Sequence, residues 1–193
     1  MKTLALATAF AALTAGTAFA DAEPYTMDPT HSTIKFTWSH GGFSTTFGIF
    51  FQVEGDIMFD ADDPAASSVT ASVPLGDMMV DPMLKGHLAG DRWFGGFDGK
   101  MVEFASTGIE VTGDETAIIT GDLTVNGMTK EVMLDATLNS VGAGPRGGTI
   151  AGFDATATIL RSDFGVGAFA PFVSDEIAVE ISIEASPGTG DAS

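Results

Sequence analysis

From Ser32 to Ala185 the chain repeats one pattern. Apolar residues recur at every second position, in one short segment after another, with turn residues between them. Period two is the period of a β-strand with one wet and one dry face. In residues 32–39, Ile34, Phe36 and Trp38 share a face, with Lys35 and Thr37 opposite. In residues 46–59, Phe47, Ile49, Phe51, Val53, Ile57 and Phe59 share a face; Phe50 and Met58 are exceptions on the polar one. Gly55 inside this long segment predicts a bulge or bend. Val69, Ala71, Val73 and Leu75 mark a third strand, and residues 101–111 a fourth. In the fourth the apolar face moves from Val102 and Phe104 to Ile109 and Val111, which again predicts a bulge. Ala117, Ile119, Leu123 and Val125 mark a fifth, and Val132, Leu134, Ala136 and Leu138 a sixth. Asn126-Gly127 between them predicts a two-residue hairpin turn. A seventh strand, carrying Phe153 and Ile159, spans residues 149–160, and an eighth residues 175–185.

One segment departs from this period. Asp81-Pro82 offers an N-cap followed by a first-turn proline. Leu84 and Leu88 then fall one helical turn apart, so a helix is predicted over residues 82–94. The fold class is therefore all-β, with eight antiparallel strands and one short helix. Eight strands suffice to close a barrel, which its own side chains can fill or which can hold one small ligand. Strand periodicity cannot distinguish a filled core from a lined cavity.

The first twenty residues read as a signal peptide. Lys2 supplies a positive start, residues 4–13 an apolar run, and Ala18-Phe19-Ala20 a small–x–small cleavage pattern. The run is too short to cross about 30 Å of hydrocarbon. The expected division is residues 1–20 as signal, 21–186 as one domain and 187–193 as a polar, disordered tail, with a periplasmic destination. Removing twenty of 193 residues leaves 173, enough for a single core. No later stretch is long and apolar enough to span a membrane.

With no cysteine, the chain has no disulfide framework and no thiolate chemistry. Of its 8 basic and 26 acidic residues, only Lys2 lies in the signal, so the mature chain carries −19. That field argues against nucleic acid and anionic membrane partners.

The polar motifs carry little catalytic signal. His31, His40 and His87 are the only histidines. His31 and His40 flank one strand, about 30 Å apart if extended, so they cannot share an ion; no metal site is expected. Asp163-Phe164-Gly165 lacks the companions that would give it a kinase role. Arg161 beside it is read as one half of a structural ion pair, or as facing an anionic head group. Asp60, Asp62 and Asp63 lack the spacing of a calcium loop. No Gly-x-Ser-x-Gly elbow is present, so no catalytic residue is assigned.

Several blocks occur in a telling order. Tyr25-Thr26-Met27-Asp28-Pro29-Thr30-His31-Ser32 precedes Ile34-Lys35-Phe36. His40-Gly41-Gly42-Phe43-Ser44, Phe47-Gly48-Ile49-Phe50, Phe59-Asp60 and Phe104-Ala105-Ser106-Thr107 follow. Gly121-Asp122-Leu123-Thr124-Val125-Asn126-Gly127-Met128-Thr129-Lys130 and Arg161-Ser162-Asp163-Phe164-Gly165 complete the series. This series resembles the YceI-like family of periplasmic lipid- or polyisoprenoid-binding proteins, from Tyr25 to about Ala185. The resemblance implies a lipocalin-like barrel with a helix at its side, an apolar tunnel, and binding rather than catalysis. The implied ligand is a polyisoprenoid or isoprenoid quinone; no cofactor is expected. The tunnel lining is then expected to include Phe36, Trp38, Phe47, Ile49, Phe51, Val53, Ile57, Phe104, Leu123, Leu134, Phe153 and Ile159. Head-group contacts are expected at His31, His40 and Arg161. The segment 76–81, the Gly-rich loop 141–148 and the loop carrying Phe169 and Phe172 depart from the family pattern. The last of these is a candidate dimer contact, membrane-docking lip or lid. Two rival readings are an acidic stress-related interaction protein without lipid, and an enzyme acting on a bound quinone or lipid.

Overall fold

The computed structural model describes residues 22–145 and 147–188. The signal-peptide segment 1–20 and residues 189–193 of the expected tail lie outside the described residues. Ten strand segments form one antiparallel sheet: β1 (Glu23–Met27), β2 (Thr33–His40), β3 (Ser44–Phe51), β4 (Glu54–Phe59), β5 (Ser68–Pro74), β6 (Met101–Val111), β7 (Thr116–Val125), β8 (Met128–Ala143), β9 (Thr149–Leu160) and β10 (Glu176–Pro187). Neighbours run in the order β1-β4-β5-β6-β7-β8-β9-β10, and β1 also pairs with β10. The ring is closed, so eight strands make an antiparallel barrel.

Closure depends on two kinked strands. β10 gives the Ala185–Pro187 stretch of one edge to β1 and the Ala178–Ser182 stretch to β2. β1 and β2 thus act as one strand bent at the Asp28–Ser32 turn, and β3 and β4 as another bent at Gln52. β1 escaped the sequence reading because its five residues are too few to show a period. Yet Tyr25 and Met27 sit in the main core with Val53, Ile57, Phe59, Ile183 and Ala185.

The break in the long second segment is at Gln52, not at Gly55. Gln52 has φ 56°, a single left-handed residue that inserts an extra position into the alternation. Inward positions before it are Gly48 and Phe50; after it they are Val53, Ile57 and Phe59. Gly55 serves a different purpose: a Cβ there would lie 2.1 Å from the Thr70 carbonyl oxygen, so only glycine permits the β4–β5 approach. The bulge expected in β6 is present, as a register shift between Ser106 and Gly108. It lets Val102, Phe104, Ile109 and Val111 all face inward. Asn126 and Gly127 both take positive φ in the β7–β8 hairpin, as expected.

The helix α1 (Pro82–Leu88) is shorter than predicted. Asp81 caps it, accepting from the amides of Met83 (2.9 Å) and Leu84 (3.2 Å). It ends where Gly90 N–H bonds to the His87 carbonyl instead of continuing the ladder, since Gly86 and Gly90 make extension costly. Leu84 and Leu88 pack with Phe50, Val73, Leu75 and Met78 in a second core cluster. This cluster fills the gap between β3 and β5, where Ile49 and Met79 exchange both backbone hydrogen bonds.

Candidate functional site: an apolar cavity through the barrel

The inward faces of β6 to β10 are apolar, and beyond the core at the β1 end, where Leu138 and Phe153 pack with Ala151 and Ile183, much of their surface is left free. Leu123, Val132, Leu134, Leu138, Phe153 and Ile159 point inward and are only partly buried. Their free surface faces a cavity of about 1240 Å³. That is above the usual range of roughly 300–1,000 Å³ for small-molecule sites. The wall is almost all carbon because each strand's period places its aliphatic and aromatic residues inside.

Glycines opposite rings shape the wall. A Cβ at Gly48 would lie 2.3 Å from Cζ of Phe36, and one at Gly121 would lie 2.4 Å from Cζ of Phe104. Each ring occupies the space that a side chain on the neighbouring strand would fill, which holds it close to the wall. Phe36 also stacks on Trp38 at 5.9 Å and contacts Phe50 at 5.5 Å.

The two ends of the cavity differ in charge. One end gathers the β2–β3 turn, the β7–β8 turn and the 161–174 segment. Its charged or titratable lining is His40, His87, Asp91, Arg92 and Arg161. The other end, at the β6–β7 turn, is lined by Asp114, Glu115 and Asp154. At the first end Phe169 and Phe172 line the mouth while remaining more than half exposed. The Phe172 ring stands edge-on to His40 at 5.3 Å, and its carbonyl accepts from Gly41 N–H at 2.7 Å.

Arg161 is 6% exposed. Its guanidinium donates to four carbonyls: Nε to Ser174 (2.8 Å), Nη1 to Val166 and to Ala168 (3.0 Å), and Nη2 to Val173 (2.7 Å). The Trp93 ring lies over it, 5.4 Å from Cζ. The expected ion pair is not formed: no carboxylate lies within 4.0 Å among the described residues. Asp175 instead accepts from Ser162 N–H (3.0 Å) and Oγ–H (2.6 Å). Loss of water pulls the guanidinium below its ordinary pKa, with the charge of Asp175 opposing. The local fold explains why: Gly165 (φ 74°) ends a 3-10 turn over Arg161–Phe164 and folds the following loop back around the side chain.

Of the twelve expected lining residues, Phe36 and Trp38 on β2, Val53, and Ile57 on β4 face the cavity. So do Phe104, Leu123, Leu134, Phe153 and Ile159 on β6 to β9. Phe47, Ile49 and Phe51 do not line it; Phe47 and Phe51 are 56% and 44% exposed on the outer side of β3. The extra residue at Gln52 reverses the facing of everything before it. Phe50, read as the exception, is the inward residue. Leu84, Leu88, Trp93 and Phe164 also line the cavity; helical spacing flagged the first two, and no local pattern flags the others.

His40 and Arg161 are at the cavity, whereas His31 is not. His31 lies in the β1–β2 turn, its Nδ1 2.8 Å from Asp28 Oδ2 and 4.0 Å from Glu184 Oε2. That hydrogen bond, with those from Thr30, lowers the Asp28 carboxyl to a pKa of about 2. Asp28, His31 and Glu184 bring three ligand atoms within 4.8 Å of one another, a grouping across β10 that the sequence order conceals. The acidic turn behaves as a backbone cap: Asp60 Oδ1 accepts from the amides of Asp62 and Asp63, both at 2.9 Å.

Residues 25–185 match the model of the YceI-like domain, nearly the whole described chain. The chain belongs to the YceI-like family. Among curated relatives, a UPF0312 protein of Ectopseudomonas mendocina is 37% identical over 191 residues, covering 93% of this chain and 97% of that protein. One from Pseudomonas savastanoi pv. phaseolicola is 33% identical over 181 residues, covering 93% and 94%. Among solved structures, BcnA of Burkholderia cenocepacia superposes with a TM-score of 0.74 at 24% identity, over 83% of this chain and 99% of that one. The Campylobacter jejuni YceI protein gives 0.69 at 26% identity, over 76% and 87%. A polyisoprenoid-binding domain from Saccharophagus degradans, implicated in plant cell wall breakdown, gives 0.62 at 12% identity, over 85% and 98%. At that identity the likeness is one of fold. Among the described residues, no helix of this YceI-like chain is long and apolar enough to cross a membrane.

Proposed function

We propose that the protein binds and carries a long apolar chain, a polyisoprenoid or isoprenoid quinone, inside the barrel after export to the periplasm. The observation that carries this reading is the hollow interior: inward apolar residues on five consecutive strands, β6 to β10, keep free surface on a 1240 Å³ cavity. Apolar wall surface with no packed neighbour lacks dispersion contacts. A ligand chain restores them.

At about 30 Å³ for each water-sized group, the cavity has room for roughly 40 such groups. Each buried methylene contributes about 0.8 kcal/mol, so a chain of even a dozen carbons offsets a substantial ordering cost. Such a wall selects for length and girth, and only weakly for the chemistry of the chain. The Saccharophagus neighbour, described as polyisoprenoid-binding, supports the ligand class. The signal pattern in residues 1–20 supports the destination. Among the described residues, neither His40 nor His87, the histidines lining the site, is hydrogen-bonded to a hydroxyl, and the wall is almost all carbon, which favours a carrier over an enzyme.

Native mass spectrometry of the purified mature protein, followed by organic extraction, tests this. A bound species with a long isoprenoid or acyl chain is expected. A protein that flies at its bare mass and takes up no added polyisoprenoid would overturn the proposal.

A further inference from the structure

We infer that the Arg161 end of the cavity seats an anionic head group, a carboxylate or phosphate ester, on a long-chain amphiphile. This rests on the lipid-binding reading above and adds the chemistry of the head.

The reason is a buried charge with no carboxylate in contact among the described residues. Arg161 is 6% exposed and lines the cavity. Removing such a cation from water costs several kcal/mol even after local relaxation. The carbonyls of Val166, Ala168, Val173 and Ser174 supply dipoles but no negative charge. The acid whose charge acts on the guanidinium, Asp175, is hydrogen-bonded to Ser162 and makes no contact with Arg161. A guanidinium has five N–H groups; four are donated, and the fifth, on Nη2, has no acceptor among the described residues. A ligand oxyanion at that position would supply that acceptor and place a negative charge in direct contact with the guanidinium.

The rest of the cavity fixes the ligand's direction. His40, His87 and Arg92 share the Arg161 end, with Asp91 as the one acid lining it among the described residues. Asp114, Glu115 and Asp154 line the far end. An anionic head is repelled from the far end, and the tail runs toward it. The chain's overall charge of −18 works against any anion. A preference for an anionic ligand over its neutral counterpart can therefore arise only from local groups.

The experiment uses lipid-extracted protein and two probes that share one chain, hexadecanoate and hexadecanol, titrated by calorimetry below their aggregation limits. Hexadecanoate is expected to bind at least about tenfold more tightly, the effect of one hydrogen bond to a charged group. Arg161→Met is expected to abolish the preference, and Arg161→Lys to keep part of it. Should Arg161→Met fail to fold, the wild-type pair alone decides. Equal affinity for the two probes, or tighter binding of the alcohol, overturns the head-group inference and leaves the lipid-binding reading standing. Uptake of neither probe overturns the head-group inference, and the lipid-binding reading falls with it if added polyisoprenoid is not taken up either.

Discussion

The reversal of facing at Gln52 makes a sharp quantitative prediction, because Phe50 and Phe51 are adjacent and chemically identical. Phe50 is 6% exposed and packs on Phe36; Phe51 is 44% exposed on the outer side of the same strand. A buried phenylalanine removes roughly 200 Å² from water. At about 25 cal/mol per Å² this amounts to about 5 kcal/mol, an upper bound because the unfolded chain is already partly collapsed. Core Phe→Ala changes cost about 3–5 kcal/mol. Phe50 also borders the cavity, so part of its surface has no packed neighbour, and Phe50→Ala belongs at the low end, about 3 kcal/mol. Phe51→Ala leaves no void that water cannot fill, and about 1 kcal/mol is expected. Urea unfolding of the lipid-extracted proteins measures both, provided the slope with denaturant is unchanged. Lipid must be absent, since a ligand that binds only the folded state adds its own stabilisation. Equal costs, or a larger cost for Phe51→Ala, would refute the reversed facing and with it the placement of the β3 wall.

Two further predictions concern the same half of the barrel. Gln52 holds φ 56°, so Gln52→Val should lower stability by about 1–2 kcal/mol, while Gln52→Gly should be neutral or slightly stabilising; thermal melts giving the opposite order would place the kink elsewhere. The Asp28 carboxyl has a folded pKa of about 2, below its ordinary 3.8, chiefly through the His31 hydrogen bond and then those of Thr30. Its stabilisation is therefore present above about pH 4 and is lost as pH falls toward 2. The stability gap between wild type and Asp28→Asn should shrink across that window, and a gap that stays constant from pH 5 to 2 would contradict the assignment.

Most of the barrel was legible in local pattern. The strands β5 to β10 follow from alternation alone, because each has one dry face long enough to show its period. The Asn126-Gly127 turn and the β6 bulge were equally readable, since positive φ and a shifted apolar face leave local marks. Eight of the twelve expected lining residues lie on strands and were read with the facing the structure shows, as was Val53 between β3 and β4. The three that failed, Phe47, Ile49 and Phe51, share one cause. A single left-handed residue leaves no mark in composition, yet it inverts every side chain on one side of it.

The sequence by itself determined an antiparallel β domain with a short capped helix, and, through its ordered blocks, the YceI-like family. Periodicity reports which residues turn inward and carries no information on what stands across from them. Only the tertiary structure decided that the barrel closes through the five residues of β1 and that its inward faces stand apart around a cavity. It also decided that Arg161 is held by four carbonyls and no acid. Each of these depends on distances between segments far apart in the chain, set by how the whole sheet curves and closes.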